Sequence, residues 1–433
     1  MDVVASHHRT RLRDAAGRYR EARRSLHAPA SVQSRRGLDW MNFFIADVQT
    51  GFGTFVAFYL AQLGWSQGSV GVVLAAGTLA GVLSQIPGGA LADAVTWKRG
   101  LAALGIVMTG TAALILAFAP EFFAVLLAQI LQGATAGVIT PAIGAISLGL
   151  VGRSAIAVRT GRNYRYAAAG HALTAALMGG VGAYVAESAI FVAAASLCIP
   201  ALIALSFIRS DEIDYAWARN AKTVKDDHGK KTERAAGVFE LCKNRKLVLF
   251  IGAIVLFQFA DASMLPLIGE HLATSLGPHA ALWMSGVIIV PQVVVAVLAP
   301  WVGFHSEKRG RRPLLLIGFG LEPIRALLLA FTSSYPLLIV GQALSGVTGA
   351  MMGVLMTVVV ADLTANSGRF NLAMGVLGAL SGVAASLSTG VTGYVFQALG
   401  PQLGYLPLAV VAAAATVLIW VFLSETKPHK YED

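Results

Sequence analysis

Asp47, Asp261, Glu322, Arg325 and His171 are ionisable residues set inside long apolar runs of this 433-residue chain. Such groups are costly in an apolar phase unless they meet a partner or a wet cavity, so each is a candidate for chemistry. Asp47 falls about 10 Å into its run at the helical rise of 1.5 Å per residue, and Asp261 lies deeper in a run of its own. Either aspartate can bind a proton or a cation or gate a path, or else it hydrogen-bonds a bent helix. Glu322 and Arg325 are three residues apart and share a helix face across Pro323, so they can pair. Arg325 lies about 18 Å into its run, and the pair is either structural or an anion or gating site. His171 can relay a proton near neutral pH, or pack among its alanines through a hydrogen bond. Gln85, Gln129, Gln132, Gln258, Gln292 and Gln342 add neutral amides, a lining suited to an amphipathic or neutral solute. Met352 and Met356 share a face with thioethers that suit Cu(I), but methionine is also a common gap-filler. No cysteine joins them, and neither a metal nor any other cofactor is expected.

The elements that must position these groups follow from composition. Apolar residues make up 56% of the chain and charged residues 13%, against roughly 25% charged in a soluble domain. Mean hydropathy is +0.67. The apolar residues gather in runs of about 20, the length of a helix that crosses a hydrocarbon core. Lipid satisfies no backbone donor or acceptor, so such runs are helices. The expected fold is an all-α polytopic membrane protein with twelve segments. They fall at 40–62, 69–92, 98–118, 121–149, 162–186, 188–208, 247–270, 280–304, 312–331, 335–361, 370–396 and 401–424.

The net charge of +10 invites a nucleic-acid partner, but the cations punctuate apolar runs instead of gathering on one surface. With both termini cytoplasmic, 32 of the 33 Lys and Arg fall in cytoplasmic segments, as the positive-inside rule requires. Residues 1–39 are an Arg-rich tail, 209–246 a solvated charged linker, and 425–433 a short tail. They bracket two six-helix halves, 40–208 and 247–424. Cys198 and Cys242 suggest no disulfide framework. No Walker pattern, nucleophile elbow or metal-ligand spacing marks an enzyme.

One loop stands out. Gly303, Glu307, Gly310, Arg311 and Arg312 crowd a tight turn that also holds Lys308 and Arg309. A weaker copy occurs at Gly89, Asp93, Lys98 and Arg99, offset by 214 residues. At the same offset Phe43, Ala46 and Asp47 match Phe257, Ala260 and Asp261. At 213, Gln129, Leu131, Gly133 and Thr135 match Gln342, Leu344, Gly346 and Thr348. The chain is therefore an internal duplication.

These loops resemble the cytoplasmic signature of the major facilitator superfamily, a resemblance that covers residues 40–424. The first copy departs from it: Ala94 stands for an Arg, Thr96 for a Gly and Trp97 for a basic residue. Segment four has Gln129 where proton-linked antiporters carry an Arg, and segment five keeps Gly170 and Gly179 without the usual Gly-Pro. The resemblance implies two parallel bundles with substrate bound between them. It also implies that Asp93 and Glu307 bond a helix end or arginines in one state of a transport cycle. The expected activity is secondary active transport by a monomer of the bacterial inner membrane, namely proton-coupled efflux of a small amphipathic compound. Proton-coupled uptake of a small metabolite or metal, or a non-transporting receptor of the same fold, are the alternatives.

Overall fold

A computed structural model describes residues 30–50, 56, 59–60, 63–184, 187–220, 223–225, 231–233, 243–268, 280–332, 334–400 and 403–428. Twelve long helices carry this part of the chain. In order they are α1 (Val32–Thr50), α2 (Gln67–Ala94), α3 (Lys98–Phe118), α4 (Phe122–Val151), α5 (Ile156–Tyr184) and α6 (Glu187–Ser206). The second set is α7 (Arg245–Ala262), α8 (Ala280–Arg309), α9 (Arg312–Phe331), α10 (Tyr335–Leu363), α11 (Phe370–Leu399) and α12 (Tyr405–Phe422). Among the described residues, ten of these helices are long and apolar enough to cross a membrane, and α1 and α5 are not in that set. Those two are the polar exceptions because they carry Asp39, Arg159, Arg162 and Arg165, and they pack on each other.

Outward-facing apolar side chains cover the helices: Phe123 and Phe331 are 81% and 75% exposed. An apolar exterior on this scale is stable in acyl chains and not in water. Inside each set the same pairs meet: α2 with α4, α3 with α4, α3 with α6, α1 with α6 and α1 with α5. Their counterparts are α8 with α10, α9 with α10, α9 with α12, α7 with α12 and α7 with α11. Contacts between the sets also come in related pairs, α2 with α11 and α5 with α8, then α4 with α11 and α5 with α10. The duplication read from the sequence is thus a pseudo-symmetric pair of six-helix bundles.

Two expectations about the polar stretches change. Helix α1 begins at Val32, inside the stretch expected as tail, because Arg35 O and Asp39 find cationic partners on α5. The first part of the linker is packed, not solvated. A one-turn helix, Tyr215–Ala218, is capped by Asp214 and tied to α4 by an Asp214 N–H to Gly149 O bond of 3.0 Å. Beyond it, strands β1 (Thr223–Lys225) and β2 (Lys231–Glu233) pair antiparallel.

Candidate functional site

The charged loops lie at one end of the bundles, and there the halves are pinned together. Helix α11 starts beside Arg369, whose side chain provides no cap. Its first free N–H groups and positive dipole end call for an anion. Asp93, at the last turn of α2, supplies it. The N–H groups of Asn371 and Leu372 donate to its carboxylate at 3.2 and 2.9 Å, and Asn371 Nδ2 donates at 2.8 Å. Asp93 is buried. One turn earlier, a Cβ on Gly89 would stand 2.3 Å from Asn371 O, and a turn before that Gly375 lies against the backbone of Gln85. Residues 85, 89 and 93 therefore form one stripe of α2 laid on α11, and only glycine at 89 lets the backbones meet.

The second copy of the loop makes the same helix contact with different chemistry. A Cβ on Gly303 would lie 2.4 Å from Ala157 O on α5. Glu307, however, takes a 2.9 Å bond from Arg311 Nη2. Arg311, fully buried, also donates to Asp362 at 3.1 Å and Ser306 O at 2.6 Å. Glu425 accepts the N–H groups of Arg311 and Arg312 at 2.8 and 3.1 Å, so it caps α9 from beyond α12. Partial burial raises the Glu425 carboxyl, and the N–H groups of Arg311, Lys427, Arg312 and Thr426 outweigh that and hold it below the usual carboxylate range. Arg312 reaches Trp420 O at 2.8 Å. Gly310 has φ +93°, a conformation that favours glycine. In the first copy Arg99 bonds Ser210 Oγ at 2.8 Å, and Lys98 Nζ donates to Ala92 O. Both ties stay within the first half and its linker.

Next to the Asp93 contact is a cavity of about 220 Å³ shared by the two halves. Helices α1, α4 and α5 contribute residues that include Asn42, Ser147, Asn163 and His171. Helices α10 and α11 contribute Thr357, Asn371 and Met374. Beside it, Asp39 is bound by Arg159 and, at 2.5 Å, by Arg162. Arg159 Nε donates to Asn163 Oδ1 at 2.7 Å, and Asn163 Nδ2 donates to Ser147 Oγ at 2.8 Å.

A second charge cluster lies deep in the other half. Arg325 Nη1 donates to Glu322 at 2.9 Å, as the three-residue spacing predicts, and to Asp261 of α7 at 2.5 Å. Arg325 and Glu322 are sealed at 1% and 0% exposure, whereas Asp261 is 35% exposed. Two carboxylates share one guanidinium. Helices α11 and α12 carry no charged residue or histidine, and those of α8 and α10 sit at the charged end (His305, Glu307, Lys308, Arg309 and Asp362).

Of the amides expected to line a cavity, Gln129 and Gln342 are buried and Gln132, Gln258 and Gln292 half-buried, none of them on this cavity. Gln129 faces Gly77 inside the first bundle, and Gln85 sits on the α2–α11 contact. His171 is on the cavity. Asp47 is on α1, beside the lining residue Ala46, and its side chain lies outside the described residues. Met351 and Met352 pack against Gly318 of α9, and Gly170 meets the backbone of Phe43, so both are packing residues. Sequence reasoning missed Asn371, Asp39, Asp362 and Glu425. A signal existed for Asp39 alone, as an acid among arginines next to an apolar run.

The sequence profile of the Major Facilitator Superfamily matches residues 38–321 and 249–433. An uncharacterised MFS-type transporter of Mycobacterium tuberculosis is 33% identical over 394 residues, 90% of this chain and 93% of that protein. The class B tetracycline resistance protein of Escherichia coli is 32% identical over 143 residues, 33% of this chain and 35% of that protein. Among solved structures, the proton:xylose symporter XylE superposes with a TM-score of 0.67 at 15% identity, covering 91% of this chain and 96% of that one. With two related six-helix bundles enclosing a shared cavity, the chain belongs to the major facilitator superfamily and is a multi-pass membrane transporter.

Proposed function

We propose that this transporter works by alternating access and uses a proton gradient to export a small amphipathic compound. The observation that carries the reading is the Asp93 contact: a carboxylate of one half caps a helix of the other, directly beside the shared cavity. Such a bond exists only while the halves are closed at the charged end, so it biases a two-state equilibrium. The charge pattern orients that end to the cytoplasm, with both termini there. The functional halves are 40–208 and 247–424, joined by the linker 209–246 and flanked by tails 1–39 and 425–433. The monomer is the working unit, in a bacterial-type inner membrane.

The triad of Asp261, Arg325 and Glu322 is the proton site in this reading. Its formal charge is −1 in an apolar interior, so taking up one proton is the cheapest way to neutral. Asp261, half-buried where Glu322 and Arg325 are sealed, is the member through which a proton enters. Asp47 is the second candidate. The tetracycline-resistance relatives favour export as the direction. Purified protein in proteoliposomes, with an imposed pH gradient and a panel of amphipathic solutes that includes a tetracycline, tests the reading. Gradient-driven flux that Asp261→Asn uncouples, leaving solute exchange without a gradient intact, supports it. Wild-type protein that moves no solute under either sign of gradient sinks it, and flux with the gradient reversed assigns uptake.

A further inference from the structure

The side chain of Asn371 belongs to the latch and to the cavity at once. It is the second residue of α11 and is fully buried. Its Nδ2 donates to Asp93 Oδ1 at 2.8 Å and to Ala218 O at 3.0 Å. Both partners can only accept, so the orientation of the amide is settled by chemistry. The other end, Oδ1, accepts no hydrogen bond from any described residue. A Cβ on Gly144 would lie 3.6 Å from it, and Gly144 and Asn371 both line the cavity. A buried carbonyl oxygen without a donor is uncommon in a folded protein and calls for a partner.

The rest of the lining says what that partner is. The neighbouring amides point their donors elsewhere: Asn42 Nδ2 bonds Leu38 O at 2.7 Å and Asn163 Nδ2 bonds Ser147 Oγ at 2.8 Å. Among the described residues, no Asp, Glu, Lys or Arg lines the cavity. Those described residues offer a cation no countercharge and an anion no fixed positive group. The volume, about 220 Å³, is below the roughly 300–1,000 Å³ of drug-sized sites. We propose that Asn371 Oδ1 is the solute-sensing acceptor of this transporter, binding a hydroxyl or N–H donor of a small neutral solute in the cavity. The inference rests on the alternating-access reading above and adds to it the chemistry of the solute and the link to the latch.

That link runs through one amide. A hydrogen bond accepted at Oδ1 polarises the group and strengthens the two bonds donated from Nδ2, as in any chain of hydrogen bonds. An occupied cavity therefore tightens the hold of Asn371 on Asp93, and a closed latch tightens the hold on the solute. The two effects are equal in size because binding and closure are linked reciprocally.

A matched pair of probes tests this: benzyl alcohol, which donates an O–H, and benzyl methyl ether, which has none. The readout is the rate at which a membrane-impermeant maleimide, added from the charged side, labels Thr140→Cys in the cavity of a Cys198→Ser/Cys242→Ser background. Benzyl alcohol is expected to slow labelling saturably, at about three- to tenfold lower concentration than the ether, the worth of one hydrogen bond. Asn371→Ala removes the difference between the probes. Gly144→Ala, which leaves Asn371 in place and puts a methyl in front of Oδ1, weakens the effect of the alcohol. Equal action of the two probes, no action of either on the wild type, or faster labelling with the alcohol overturns the proposal. So does a probe difference that survives both substitutions. A failure of proton-driven flux would count against the transport reading and leave this labelling result standing, so the two can fail separately.

Discussion

Removing the Asp93 carboxylate should open the charged end of the protein. In Asp93→Ala the N–H groups of Asn371 and Leu372 lose acceptors at 3.2 and 2.9 Å, and Asn371 Nδ2 keeps only Ala218 O. Losing a helix cap costs about 0.5–2 kcal/mol, and losing an anion at a partly buried helix N-terminus costs about 0.3–2 kcal/mol more. The closed form is then weakened by about 1–4 kcal/mol, with a midpoint near ~2.4 kcal/mol or roughly 60-fold in the equilibrium constant. A protein closed about 99% of the time would approach an even mixture. Asp93→Asn keeps one acceptor and loses the charge, so its shift is smaller, near 1 kcal/mol. Maleimide access to a cavity cysteine from the charged side, compared across wild type, Asp93→Asn and Asp93→Ala, should rise in that order. If Asp93→Ala labels no faster than wild type while the protein stays folded, the contact does not bias the equilibrium, and the latch argument is wrong.

At Gly89 even a methyl group would sit 2.3 Å from Asn371 O, so Gly89→Ala should raise the same cavity access and lower flux. Gly252→Ala, with nothing within 4 Å of the new methyl, should do neither. Asp39→Ala strands the buried Arg159, and breaking a buried pair costs about 3–5 kcal/mol; thermal unfolding in detergent should show a large loss that Asp39→Glu partly restores. Glu425 has its carboxyl held low by the N–H groups it caps, so its stabilisation is present above the usual carboxylate pKa and fades as pH falls through the lower folded-state value. Because the group is exposed, the effect is about 1 kcal/mol or less. The melting difference between wild type and Glu425→Gln should therefore be seen at neutral pH and vanish in acid; a difference unchanged down to acid pH would contradict the capping role.

What could be read from the residues, and what could not, divides along a physical line. Lipid imposes a length on every apolar run, and duplication imposes an offset, so the helices and their pairing were open to sequence reasoning. The Asp93 contact was also within reach, since Gly89 and Asp93 repeat the spacing of Gly303 and Glu307. Glu322 and Arg325 could be paired because a helix brings residues three apart together. Asp261 could not be added to them, because nothing local links positions 64 residues apart. The same limit hid the bond from Arg159 to Asp39, 120 residues away. It was compounded by polarity: Asp39 and the α5 arginines made α1 and α5 look like tail and loop at the points where they bind each other. The amides misled in the opposite sense. Gln129, expected on a wet cavity, faces Gly77 inside the first bundle, and Gln342 is buried away from the shared cavity.

The two copies of the loop explain why only one of them latches. Position 311 in the second copy corresponds at the 214-residue offset to position 97 in the first. Arg311 is four residues after Glu307 and captures it at 2.9 Å. Four residues after Asp93 comes Trp97, which offers no guanidinium and lies exposed against Gly100. Asp93 is thereby left to the N-terminus of α11, whereas Glu307 takes the Arg311 guanidinium of its own half. What looks like decay of the first loop is, on this argument, what makes it the working latch. Trp97→Arg should restore the competition: an i, i+4 guanidinium draws Asp93 from α11 and raises cavity access towards the level of Asp93→Asn. Trp97→Leu, which keeps the position apolar, should leave access near wild type. Equal effects of the arginine and the leucine would mean that Trp97 acts through packing alone and that the asymmetry has another origin.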